Sequence, residues 1–146
     1  MKNILALIPA ELADFLLSVK ITSNGGFNHP AADLASDGDK LFLPSVYEIY
    51  GDDPNDFSGS GADYFKNIAS YAGETTGGQF GLFATYTSRN DFRRAPLSDP
   101  TSYNIWWLRS PDQGSSDYVL LVSSSGVISA NDADIGSIRV VPCFAM

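Results

Sequence analysis

Trp106-Trp107-Leu108-Arg109-Ser110-Pro111 is the stretch on which the fold turns. Adjacent tryptophans on a strand point to opposite faces, so one of the two anchors a core and the other lies under polar loops or at the surface. Arg109 stands inside this apolar strand, and Arg139 stands inside a second one, Ile138-Arg139-Val140-Val141-Pro142-Cys143-Phe144. A guanidinium in such a place must be paired or reach solvent; for both, ion pairs or hydrogen bonds to carbonyls are expected ahead of ligand contact. Turn formers divide this part of the chain into short strands at residues 105–109, 118–122, 127–129 and 138–144. Ser123-Ser124-Ser125-Gly126 reads as the turn of a hairpin between the second and third.

Upstream the pattern changes. Leu12, Phe15, Leu16 and Val19 recur at helical spacing behind Pro9, and Thr22-Ser23-Asn24-Gly25-Gly26 ends the run, which predicts a helix over residues 9–20. Residues 24–38 are rich in turn formers and read as an exposed connection. Residues 40–43 form a short strand candidate. Ser45 and Glu48 have capping-box spacing, so a short helix begins there and Gly51 stops it. Residues 52–61 read as a loop, and a second helix is predicted over residues 63–72, capped by Asp63 and stopped at Gly73. The middle, residues 74–100, shows no clean period and reads as a long loop pinned by Phe80, Phe83, Tyr86 and Phe92, with Arg93 and Arg94 near its end. Helices first and a small antiparallel sheet afterwards give an α+β fold.

The length of 146 residues fits one domain, residues 1–146, and 44% hydrophobic with 18% charged residues suffices to fill a core. A net charge of −8 opposes contact with phosphate backbones and anionic lipid surfaces, so nucleic acid is excluded as a partner. No apolar run approaches the roughly 18–20 residues of a membrane span, and residues 4–8 are too short for a signal peptide, so no membrane insertion and no export signal are expected. The single cysteine, Cys143, cannot close an intrachain disulfide and reads as a small buried hydrophobe.

Catalytic apparatus is sparse. The only histidine, His29, sits in a Gly/Asn/Pro loop, and no Gly-x-Ser-x-Gly, phosphate-binding loop or dinucleotide fingerprint occurs. The chain is therefore expected not to be an enzyme. No cofactor is implied, with calcium as the one ion to weigh: Asp52, Asp53, Asn55 and Asp56 cluster around Pro54, and Asp132 and Asp134 flank a turn beside Asn131. Neither cluster follows the EF-hand pattern, and Asp and Asn favour turns for reasons of their own.

Asp39-Lys40-Leu41-Phe42-Leu43-Pro44-Ser45-Val46-Tyr47-Glu48, the Trp106–Pro111 stretch, and a strand-turn-strand through Gly126 into a closing Arg-containing strand together resemble an uncharacterised domain family of gut bacteria and their phages. That family carries "DKVFLLS-x-x-E", "WWLRSP" and a terminal "GVRP"; here Ser137-Ile138-Arg139-Val140-Val141-Pro142 stands in place of the last. The resemblance spans roughly residues 10–146. It implies a C-type-lectin-like fold, with two helices flanking a small twisted antiparallel sheet and long loops, and a C-terminal binding face at about residues 110–137. The fold also serves the variable proteins of diversity-generating retroelements, in which that face is mutagenised at adenines. An Asn codon so treated does not give Lys, Glu, Trp or Met, and residues 110–145 contain none of the four. The calcium motifs of sugar-binding C-type lectins are missing: the chain offers only Ser110-Pro111-Asp112 and Ala130-Asn131-Asp132. The related formylglycine-generating enzymes need more cysteines than one.

The expected function is recognition of a cell-surface protein or glycan by a phage-borne or bacterial surface module, virion-associated or at the bacterial cell surface, acting alone or as a homo-oligomer. Contact residues are expected among Asp112, Ser115, Ser116, Asp117, Tyr118, Ser123, Ser125, Ser129, Asn131, Asp132, Asp134 and Ile135, because Tyr, Ser, Asn and Asp give adaptable hydrogen bonding at low ordering cost. One rival is a structural domain that decorates or trimerises a fibre or capsid. Another is a polysaccharide hydrolase using Asp132 and Asp134, two apart on one strand face.

Overall fold

The computed structural model describes residues 8–23, 32–33, 38–51, 80–84, 95–96 and 103–146. Along these run helix α1 (Ala10–Ala13), strands β1 (Thr22–Ser23) and β2 (Ala32–Asp33), helix α2 (Val46–Tyr50), helix α3 (Gly81–Ala84), and strands β3 (Ala95–Pro96), β4 (Tyr103–Asn104), β5 (Trp106–Pro111), β6 (Tyr118–Val122), β7 (Ile128–Asp132) and β8 (Arg139–Val140). The class is α+β. β1 pairs with β2 and β3 with β4, both antiparallel, and the main sheet has the order β7-β6-β5-β8.

The main sheet is mixed, which corrects the antiparallel expectation. β5, β6 and β7 are antiparallel neighbours, but β8 lies parallel to β5, with Trp106 opposite Arg139 and Trp107 opposite Val140. After β7 the chain crosses to the far side of β5, a direction that apolar patterning does not encode. The β6–β7 hairpin matches expectation. Ser123 N–H donates to Val127 O at 2.8 Å, Gly126 N–H donates to Ser123 O at 2.9 Å, and Gly126 adopts φ 81°, a left-handed conformation that costs glycine nothing.

Along β5 burial alternates: Trp106, Leu108 and Ser110 are buried, and Trp107, Arg109 and Pro111 half-buried. Trp106, Leu108, Leu120, Val122 and Ile128 meet Val46, Ile49 and Tyr50 of α2 in one core, with Phe80, Phe83, Tyr47, Ala130 and Val141 at its margin. Each large side chain buried there contributes roughly 1.5–3 kcal/mol. The Tyr50 hydroxyl donates to Gly126 O at 2.9 Å, tying α2 to the hairpin turn.

The capping box is present in full. Ser45 Oγ accepts from Glu48 N–H, the Glu48 carboxylate accepts from Ser45 N–H, and Gly51 ends the helix with φ 66°. Glu48 does more than cap. Its fully buried carboxylate binds Arg109 in two parallel contacts, Nη1 to Oε2 at 2.6 Å and Nη2 to Oε1 at 2.9 Å. Arg109 also donates from Nη1 to Leu43 O and from Nε to Thr22 O. A two-residue irregularity in the β5–β6 register between Trp107 and Pro111 turns this part of β5 toward the α2 leader. Arg109 N–H donates to Pro44 O, and Val46 N–H donates to Ser110 Oγ.

The long first helix is not formed. Its single turn, α1, gives way to extended chain in which Leu17 bridges Ala145 and Val19 bridges Asp39. Leu16 is buried while Phe15 is 69% exposed, so the four apolar residues do not share a face. The run Val19-Lys20-Ile21-Thr22 favours strand through its β-branched side chains. Gly38 holds this crossing, because a Cβ there would lie 2.7 Å from the Val19 carbonyl.

Other boundaries differ too. Residues 32–33, within the expected loop, pair with β1; the strand expected at residues 40–43 is a single bridge, Phe42 to Cys143. α3 and β3 fall inside the expected middle loop. The strand expected at residues 138–144 is β8 followed by separate bridges at Cys143 and Ala145. The predicted helix over residues 63–72 and the loop at residues 52–61 lie outside the described residues, as do Tyr86, Phe92, Arg93 and Arg94.

Removing one member of the buried pair, by Arg109→Met or Glu48→Ala, strands the other and should cost about 3–5 kcal/mol, read as a drop in the urea midpoint. Ser45→Ala, which removes the capping hydroxyl, should cost about 1 kcal/mol.

Candidate functional site

The hairpin register sorts the expected contact residues by position. Tyr118 faces Asp132, Val119 faces Asn131, and Leu121 faces Ser129. Ala133 N–H donates to Asp117 O, and Asp112 N–H donates to Tyr118 O. The turn before β6 and the turn after β7 therefore meet at one end of the sheet, bringing together Asp112, Ser115, Ser116, Asp117, Tyr118, Asn131, Asp132, Asp134 and Ile135. Ser123 and Ser125 sit at the opposite end, hydroxyl to hydroxyl at 2.9 Å. Ser129 lies between, half-buried opposite Leu121.

At the assembled end the polar side chains bond locally. Ser116 Oγ donates to Asp117 Oδ1 at 3.0 Å, Ser115 Oγ accepts from Asp117 N–H, and Asn131 Oδ1 accepts from Asp132 N–H. Ser116, Asp117, Tyr118, Asp132 and Asp134 are exposed, while Ser115, Asn131 and Ile135 are half-buried. Asp112 is buried, and its Oδ1 accepts from Gly114 N–H at 2.8 Å, shaping the turn that carries Ser115 to Asp117. Next to it, the amide Nε2 of Gln113 is buried without a hydrogen-bond partner among the described residues, a position the sequence reading did not single out.

The chemistry on offer is hydrogen bonding with negative charge. Asp132 ends β7 and Asp134 lies in the following turn, both exposed, rather than two apart on one strand face. Among the described residues no three of His, Cys, Asp and Glu come together to hold a metal ion. His29 and the cluster from Asp52 to Asp56 lie outside the described residues. No described helix is long and apolar enough to cross a membrane.

The frame residues serve structure. Trp106 is buried and Trp107 half-buried, and Arg109 is spent on Glu48 and carbonyls. The Arg139 side chain is exposed, and its backbone pairs with β5, Arg139 N–H donating to Ile105 O. Cys143 is half-buried and its pKa is raised to about 11, first by burial and then by the Glu48 carboxylate, against a lowering by Arg109.

The chain belongs to the family described as a domain of unknown function, DUF6273, whose model matches residues 5–146. No curated protein and no solved structure matches the chain.

Two outcomes are expected. Cys143 alkylation by iodoacetamide should be slow at neutral pH and rise about tenfold per pH unit up to about 11; a plateau near 9.0 would mean that the thiol is solvated. Because the folded state holds this proton more tightly, the corresponding stability is intact below 9.0 and is lost as pH climbs through about 11. Gln113→Met, which removes the unmatched donor, should be neutral or stabilising by about 1 kcal/mol in thermal denaturation.

Proposed function

We propose that the chain is a recognition module of C-type-lectin-like architecture, whose polar sheet end binds a protein or glycan on a cell surface. The observation that carries this reading is the division between frame and end. A core and a buried ion pair hold β5, β6 and α2, whereas Ser116, Asp117, Tyr118, Asp132 and Asp134 stand exposed together on two turns and the strand ends beside them. Such a surface can change its side chains without disturbing the frame. That is what a diversified binding face requires, and it fits a phage-borne or bacterial surface role.

Tyr118 is the natural anchor. It is 39% exposed at the centre of the end, next to Asp132, and tyrosine supplies a large rigid contact area with a hydrogen-bonding tip. Asp117, Asn131, Asp132 and Asp134 add acceptors around it. Asp112 acts through the Gly114 turn, so its part is to place Ser115 to Asp117 rather than to touch the ligand.

The test is binding of the labelled chain to a panel of bacterial cells and immobilised glycans. Replacing Tyr118, Asn131 and Asp132 together by Ala should weaken capture by about 30-fold or more, with an unchanged thermal midpoint. Unchanged capture by that variant overturns the assignment.

A further inference from the structure

Away from the polar end, Val19, Phe42, Phe80 and residues 142–145 line a half-open pocket of about 540 Å³, inside the roughly 300–1,000 Å³ range of small-molecule sites. The rings of Phe42, Phe80 and Phe144 line it together with Val19, Cys143 and Ala145, and none of its described lining residues is charged. The backbone of these walls is already engaged. Val19 exchanges both of its hydrogen bonds with Asp39, Phe42 exchanges both with Cys143, and Ala145 O accepts from Leu17 N–H. The nearby guanidinium, 6.0 Å from the centre of the Phe42 ring, is neutralised by Glu48.

Among the described residues an occupant would therefore meet aromatic faces, methyl groups and a thiol, but no ionic partner. A charged molecule would lose its hydration there without replacement, and water would find few hydrogen-bonding partners. We propose that this cavity binds a small, uncharged, apolar molecule with the bulk of two or three joined aromatic rings. None of its lining residues belongs to the polar end, so the site is independent of the recognition surface. Cys143 stays protonated at neutral pH because burial raises its pKa to about 11, so it serves as wall and not as nucleophile.

The experiment uses the intact chain and N-phenyl-1-naphthylamine, a neutral probe that fluoresces in apolar surroundings. Saturable binding is expected, with affinity at least about tenfold above that of the anionic analogue 8-anilinonaphthalene-1-sulfonate. Because Cys143 is the only cysteine, its alkylation should slow by about fivefold or more in probe-saturated protein. Cys143→Phe and Ala145→Phe, which fill the space from two walls, should each lower probe affinity by about tenfold. Absence of saturable binding, equal affinity for the anionic probe, undiminished alkylation, or full binding by both filled variants overturns the proposal. The alkylation readout uses the unaltered chain, so it decides the matter even where a filled variant fails to fold.

Discussion

Arg109 and Glu48 form the contact around which the described structure is organised. Two charges taken out of water are tolerated only where geometry and further hydrogen bonds replace what hydration gave. Here the fork of Arg109 meets both carboxylate oxygens and also reaches the carbonyls of Leu43 and Thr22. Glu48 meanwhile caps its own helix through Ser45 N–H. One carboxylate thus completes a helix start and receives a strand, and one guanidinium draws three separate parts of the chain onto β5. Because these bonds are directional, they fix the angle and register at which β5 meets α2, which apolar packing alone leaves freer.

That arrangement explains what the sequence could and could not disclose. The capping box, the hairpin turn at Gly126 and the opposite faces of Trp106 and Trp107 were legible because each depends on residues close in sequence. Arg109 was legible as a buried cation in need of partners, yet Glu48 had already been accounted for as a cap, and its second role depends on a contact across 61 positions. The first helix was misread because Leu12, Phe15, Leu16 and Val19 match helical spacing by coincidence. The backbone of Val19 and of neighbouring Leu17 is claimed instead by Asp39 and Ala145, long-range partners that no window of sequence contains. The parallel setting of β8 was hidden for the same reason.

The assembled polar end was partly legible. Its residues were chosen for their chemistry, and the β6–β7 register places most of them together while leaving Ser123 and Ser125 at the far end. The distinction that composition could not make is between side chains that shape the turns and side chains that stand free. Asp112 and Asp117 are the same residue type five positions apart, one buried against Gly114 N–H and the other exposed. Burial, not residue identity, divides them.

The closing segment also bears on how the molecule comes to be folded. Cys143 bridges Phe42, Ala145 bridges Leu17, and β8 lies against β5, so residues 139–145 join parts of the chain far upstream. Until they are in place, Leu17 and Phe42 lack their bridges and β5 has one bare edge. Closing a loop of that length carries an entropic cost that rises only slowly with its size, but contacts so far apart in sequence slow folding. Residues 139–145 thus act as a clasp, and substitutions that loosen it would leave the frame unlatched while sparing every residue of the polar end.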